Sequence, residues 1–232
     1  MEKSMLHVPG PSGQRRPPCR QRIGPSPGSV EAKYDLKENI GAGCYGNVYR
    51  GIRKMDGKQF IIKSTTSEVD SNVKVCKTIM LVMEYLGPCR TLEDFLQKHQ
   101  HLEERVARTL ILQIVKAAQE CLRRKICHHD IHDCNILVID RPLQIKLIDF
   151  GCGMHICHDP KKYPPDTRIS PKKAVKNTVK QLFGIMREIE KQCSSIPEEF
   201  MAFMNTCITL GDDDQRLQTV QQILDQPWLK NQ

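Results

Sequence analysis

The stretch from Cys127 to Gly151 constrains this chain more than any other. In it Asn135 opens the apolar run 136–139 and Asp149 closes the run 145–148, with Asp130 five residues before Asn135. Asp140-Arg141-Pro142 between the runs is turn chemistry, since proline presets φ. The pattern predicts two short strands joined tightly, with Asp130, Asn135 and Asp149 gathered at one end of the hairpin. A carboxylate, an amide and a second carboxylate meeting there suit a cation on a phosphate, because Mg²⁺ takes few, hard oxygen ligands from protein. An ordinary hairpin with polar ends would account for any one of these residues. The ordered set is a stronger signal.

At 232 residues the chain is long enough to bury a sizeable core. Its 35 Lys+Arg against 27 Asp+Glu leave a formal charge of +8, most simply read as a basic solvated surface. Aromatic residues are not interleaved with the basic ones, so no nucleic-acid partner is expected. The longest apolar run in the expected core, 79–83, is far too short to span a bilayer, and no membrane partner is expected. Eleven cysteines are scattered without a repeating spacing and no signal peptide is evident. Reduced thiols in the cytoplasm, or also the nucleus, follow from that reading. Residues 1–30 are rich in Pro, Gly, Ser and Arg and read as a disordered tail.

Order is expected from Tyr34. The segment Ile40-Gly41-Ala-Gly43-Cys-Tyr-Gly46-Asn-Val48 is a G-x-G-x-x-G-x-V loop. Dinucleotide-binding folds carry a similar loop, but theirs opens a helix. Here strand-like residues run on to Asp56-Gly57, a hairpin signal, and then to a strand over 59–62 that ends at Lys63. Leu81 to Leu86 reads as a strand entering a connector with Gly87-Pro88. Thr91 is placed to cap a helix with acid in its first turn. Val106, Leu110, Ile114, Ala118 and Leu122 mark the inner face of a longer helix. Cys127, His128, His129, Cys152, His155, Cys157 and His158 lack the paired spacing of a zinc site and are read as structural. Ser195-Ile-Pro-Glu198 reads as a capping box before a helix using Phe200, Phe203, Met204, Cys207 and Ile208.

His128-x-Asp130, Asn135 and Asp149-Phe-Gly, downstream of the glycine loop and Lys63, resemble the motif series of serine/threonine protein kinases over residues 34–230. The phrases Ile-Leu-Val-Ile-Asp, Leu-Ile-Asp-Phe-Gly-Cys-Gly, Tyr-Pro-Pro-Asp and Gln-Pro-Trp-Leu are similar to the Pim family within them. The resemblance implies an α+β, bilobal fold over 31–230, with a β-rich N-lobe at 31–86 and a mainly helical C-lobe at 91–230. It implies an enzyme using ATP and Mg²⁺ to phosphorylate Ser or Thr of basic peptides, as a monomer, in survival and proliferation signalling. Asp130 would then accept the substrate proton and Lys63 contact the phosphates, with Asn135 and Asp149 as metal ligands. Ile40, Gly41, Gly43, Gly46, Val48, Lys63, Glu84 and Leu137 would line the nucleotide site. Asp94 and Asp133 would face the basic substrate, and Arg216 would pair with Asp166.

The departures are specific. The interval from Lys63 to Glu84 is too short for the helix that carries the lysine's glutamate partner, and Glu68 lies too close in sequence to serve. Ile61 stands where a small residue usually floors the adenine site. His129 and His132 replace basic residues of the catalytic loop, Cys134 replaces an acid, and the segments 149–166 and 184–197 are short. Two functions follow: an active kinase, or a pseudokinase that binds nucleotide or acts as a scaffold.

Overall fold

The computed structural model describes residues 29–43, 46–70, 75–159, 161–193, 195–209 and 220–230. They form two compact units that divide between Tyr85 and Leu86. Structure begins earlier than the apolar pattern predicts. Ser29 Oγ accepts from the Ala32 N–H at 3.2 Å and caps a single turn, α1 (Val30–Lys33). Such a cap is local chemistry that periodicity does not register. Residues 1–28 of the expected tail lie outside the described residues.

The first unit is an antiparallel sheet in the order β1 (Tyr34–Gly43), β2 (Gly46–Arg53), β3 (Gln59–Asp70), β4 (Val75–Glu84). The Asp56-Gly57 turn joins β2 to β3, and Arg53 Nε donates to Asp56 Oδ1 at 2.9 Å across it. That hydrogen bond holds the Asp56 carboxyl at about 2. β3 runs on past its expected end at Lys63 to Asp70, through the β-favouring Ser64-Thr65-Thr66. β4 returns beside it with Lys63 opposite Leu81. Among the described residues the interval from Lys63 to Glu84 is therefore a strand pair and contains no helix. Glu68 belongs to β3 itself, paired with Cys76.

Burial in this sheet is sparse. Among the described residues, Ile62 is its one fully buried hydrophobic side chain, seated over Gly51, where an added Cβ would lie 2.4 Å from Ile62 Cδ1. Ile79 and Leu81 on β4 remain 52% and 54% exposed. An antiparallel sheet tolerates one wet face, but that face is normally polar.

The second unit is mainly helical. Thr91 Oγ1 accepts from the Asp94 N–H at 3.1 Å and starts α2 (Leu92–Lys98) where the sequence places it. α3 (Glu104–Arg123) buries Ala107, Leu110, Ile111, Ile114, Val115 and Ala118, while Val106 and Leu122 are half-buried at its margin. α4 (Pro171–Glu190), capped by Ser170 with Pro171 in the first turn, packs Leu182, Ile185, Met186 and Ile189 into the same core. α5 (Glu198–Thr209), α6 (Val220–Leu224) and α7 (Pro227–Lys230) add Phe200, Met204, Ile223, Trp228 and Leu229. Each large apolar side chain so buried contributes about 1.5–3 kcal/mol against conformational entropy. The Trp228 indole N–H donates to Glu104 Oε1 at 2.8 Å, and with Arg108 it holds that carboxyl below its usual range.

One expected helix start is corrected. α5 begins at Glu198, with the Met201 N–H donating to Pro197 O at 3.3 Å, so Ser195 is not its cap. A residue before proline is pushed out of the α region, and Ile196 cannot be the first helical residue. The side chains of Phe203, Cys207 and Ile208, and the Arg216–Asp166 pair, lie outside the described residues.

Two small three-stranded sheets frame the loops between α3 and α4. One has the order β5 (Arg90–Thr91), β7 (Ile136–Asp140), β8 (Leu143–Leu147). The other has the order β10 (Arg168–Ile169), β9 (Met154–Ile156), β6 (Ile126–Cys127). The Gln113 side chain, on α3, donates to Leu143 O at 3.1 Å and accepts from the Ile145 N–H at 3.0 Å, fastening β8 to the helix. No described helix is long and apolar enough to cross a membrane.

Candidate active site

The expected hairpin is present, and Asp130, Asn135 and Asp149 gather at one end of it. β7 and β8 pair with Ile136 opposite Leu147, which puts Asn135 and Asp149 at the same end. The Ile148 N–H donates to Asn135 O at 2.9 Å, so the two positions are fixed side by side. Asn135 is 8% exposed, and its Nδ2 donates to the Asp130 backbone oxygen at 3.0 Å and to Asp130 Oδ2 at 3.1 Å. With its nitrogen so engaged, the amide offers Oδ1 as its acceptor. Asp149 sits in the left-handed region at φ 62, and its Oδ1 accepts from the Gly151 N–H at 3.3 Å. His129 is also left-handed, at φ 67. Strained backbone of this kind gathers where side chains must be aimed.

His128 ties the two loops together. It is 1% exposed; the Asp130 N–H donates to its Nδ1 at 3.3 Å, and its Nε2 lies 2.9 Å from Ile148 O. An acceptor Nδ1 requires the proton on Nε2, so the ring is neutral and donates to Ile148. Burial holds its pKa below the usual 6.5. Phe150 stacks obliquely on it, 4.4 Å between centroids, yet stays 48% exposed.

Lys63 is carried by the first unit, beside Val48 across β2–β3, and Gly41 pairs with Val48 across β1–β2. Gly46, at φ 112, has the Ser64 carbonyl oxygen 2.0 Å from where a Cβ would stand, so only glycine fits. Ile40 is 52% exposed, and Gly43 pairs with Gly46. Ile61 lies opposite Met83, and Glu84 ends β4 opposite Phe60. Leu137, on β7, is half-buried between Thr91 and Lys146.

The remaining cysteines and histidines of the loops go elsewhere. Cys127 is buried with Sγ 3.9 Å from Ala174 O, and His155 stacks on Tyr163 at 4.1 Å. Asn177 Nδ2 donates to His129 Nε2 at 3.1 Å. One contact escaped the sequence reading. Cys134 Sγ lies 3.0 Å from Glu93 Oε2, and that hydrogen bond, with partial burial, pushes the thiol up to about 12. A separation of 41 residues gives no local signal of it.

The loops and their framing sheets define a class. Residues 74–171, which take in β4, the Asp130 and Asp149 loops and the first residue of α4, match the protein kinase domain. The described residues are α+β, with a β-sheet N-terminal part and a helical C-terminal part, and it is the middle of the chain that is similar to that family. Among similar proteins, serine/threonine-protein kinase pim-2 of Danio rerio is 27% identical over 53% of this chain and 53% of its own length. Serine/threonine-protein kinase prk-2 of Caenorhabditis elegans is 28% identical over 52% of this chain and 34% of its own. Probable serine/threonine-protein kinase MARK-A of Dictyostelium discoideum is 38% identical over 54% of this chain and 14% of its own. The chain thus spans about half, or less, of the length of these relatives.

Proposed function

We propose that this chain is a serine/threonine protein kinase that transfers the γ-phosphate of ATP to basic protein substrates, with signalling of the Pim type in cytoplasm and nucleus. The observation that carries the reading is the Asn135 side chain. It holds Asp130 with its nitrogen, while its backbone holds the Asp149 loop. The donor types fit Mg²⁺: an amide oxygen and a carboxylate, both hard, carried at the same end of one hairpin. Asn135 Oδ1 and Asp149 would hold the ion, which supplies charge neutralisation at the phosphates when bound with ATP. Asp130 would orient the substrate hydroxyl and take its proton. Glu93, Asp94 and Asp133 offer the negative charge that a basic peptide needs, so the acid missing at Cys134 is offset from α2.

A second reading, a nucleotide-binding pseudokinase, is favoured by one observation. The described interval between Lys63 and Glu84 is a strand pair, where the kinase resemblance expects a helix. His132, in the place of a lysine, also supplies less positive charge to a transferring phosphoryl group.

A thermal-shift titration with Mg-ATP, run beside radiolabelled transfer to a basic peptide, separates them. For the kinase, Asp130→Asn lowers transfer by about 10²–10⁴-fold and keeps the Mg-ATP-dependent rise in Tm. A rise in Tm with no Asp130-dependent transfer selects the pseudokinase. No rise in Tm rejects both.

A further inference from the structure

We propose that His132, Asp133 and Cys134, together with Glu93, form a Zn²⁺ site on the outer side of the catalytic loop. Donor atoms of His132, Asp133 and Cys134 all lie within 4.8 Å of one another. His132 Nδ1 is 3.7 Å from Asp133 Oδ1, and Cys134 Sγ is 3.0 Å from Glu93 Oε2. Bonds of about 2.0–2.3 Å to tetrahedral zinc place neighbouring donors about 3.3–3.8 Å apart. The His132, Asp133 and Cys134 donors lie near those separations, and Glu93 joins them through its contact with Cys134. Sulfur and imidazole beside carboxylate oxygen select zinc over Mg²⁺, which wants oxygen alone.

A second feature points the same way. The far side of the His132 ring faces another carboxylate, with Nε2 3.7 Å from Asp130 Oδ2. A metal on Nδ1 with a carboxylate behind Nε2 is the arrangement that fixes the tautomer of a ligating histidine and raises its basicity. The scaffold is also firm. Asp133–Asn135 is a helical turn closed by the Asn135 N–H on His132 O at 3.0 Å, and Glu93 lies in the capped first turn of α2. Asn135 is buried while His132 and Cys134 are exposed, and Asp130 Oδ2 lies between the Asn135 amide and the His132 ring.

Binding forms a Zn–S bond and releases the Cys134 proton to water, with no change of oxidation state. On the kinase reading, occupancy would draw His132 and its partner Asp130 away from a substrate hydroxyl, so zinc would slow transfer. The binding test does not depend on that reading.

Reduced, metal-free protein is titrated with Co²⁺ as the probe. The expected result is a thiolate-to-cobalt charge-transfer absorption saturating at one equivalent, bleached by Zn²⁺, and lost in Cys134→Ser. His132→Ala and Glu93→Gln should weaken Co²⁺ binding about tenfold or more. Absorption that never appears, or that persists unchanged in Cys134→Ser, overturns the site. Because the chain has eleven cysteines, alkylation of the wild-type protein is followed peptide by peptide as well. Zn²⁺ should protect Cys134 from iodoacetamide, and equal alkylation with and without Zn²⁺ overturns the proposal independently of how any variant folds.

Discussion

His128 joins the Asp130 loop to the end of β8 through a single proton on Nε2. Protonating Nδ1 would break its bond from the Asp130 N–H and put a charge in a site from which water is excluded. Its folded pKa lies below the ordinary 6.5, with burial as the largest cause. The unfolded chain therefore takes up this proton at a higher pH than the folded chain. The contribution to stability is complete above 6.5 and declines as pH falls below it toward the folded value. Thermal melts of the wild type should show Tm falling over that window. His128→Gln, which cannot titrate, should flatten the slope, and an equal slope in both proteins rejects the assignment.

At the scale of elements, what was legible in the sequence was whatever is decided locally. Thr91 with Asp94, the Asp56-Gly57 turn and the paired runs around Asp140-Arg141-Pro142 each carry their structure within a few residues. The start of α5 was misread because Ser-x-x-Glu was weighed without the proline inside it. The length of β3 was missed because its continuation is specified by β4, a partner whose register is set across the sheet rather than along the chain. The Glu93–Cys134 contact was invisible for the same reason. β3 also carries a prediction. With Ile62 the one fully buried hydrophobic side chain described in its sheet, Ile62→Ala should cost about 2–5 kcal/mol of the first unit's stability. Denaturant unfolding should show a lowered midpoint for that unit while the helical unit's transition stays in place. A shift below about 0.5 kcal/mol would mean that the sheet does not rest on this residue.

At the scale of the whole molecule, apolar burial among the described residues is divided very unevenly. The helical unit interlocks α3, α4, α5, α6 and α7 around one continuous core, while the sheet unit has Ile62 and an exposed apolar stripe at Ile79 and Leu81. Free energies of opening follow burial, so the two units should report different stabilities. Amide hydrogens of β1–β4 are expected to exchange about a hundredfold or more faster than those in the middle of α3 and α4. Uniform protection across both units would show that the sheet draws its stability from something other than its own packing. Beside the candidate active site the opposite holds, because β8 is an outermost strand whose Leu143 carbonyl and Ile145 amide are already claimed by Gln113. Those are the handholds a foreign strand would need to extend the ribbon. The helix beneath has taken these two first, which leaves crowded copies of the molecule less to grip along that margin.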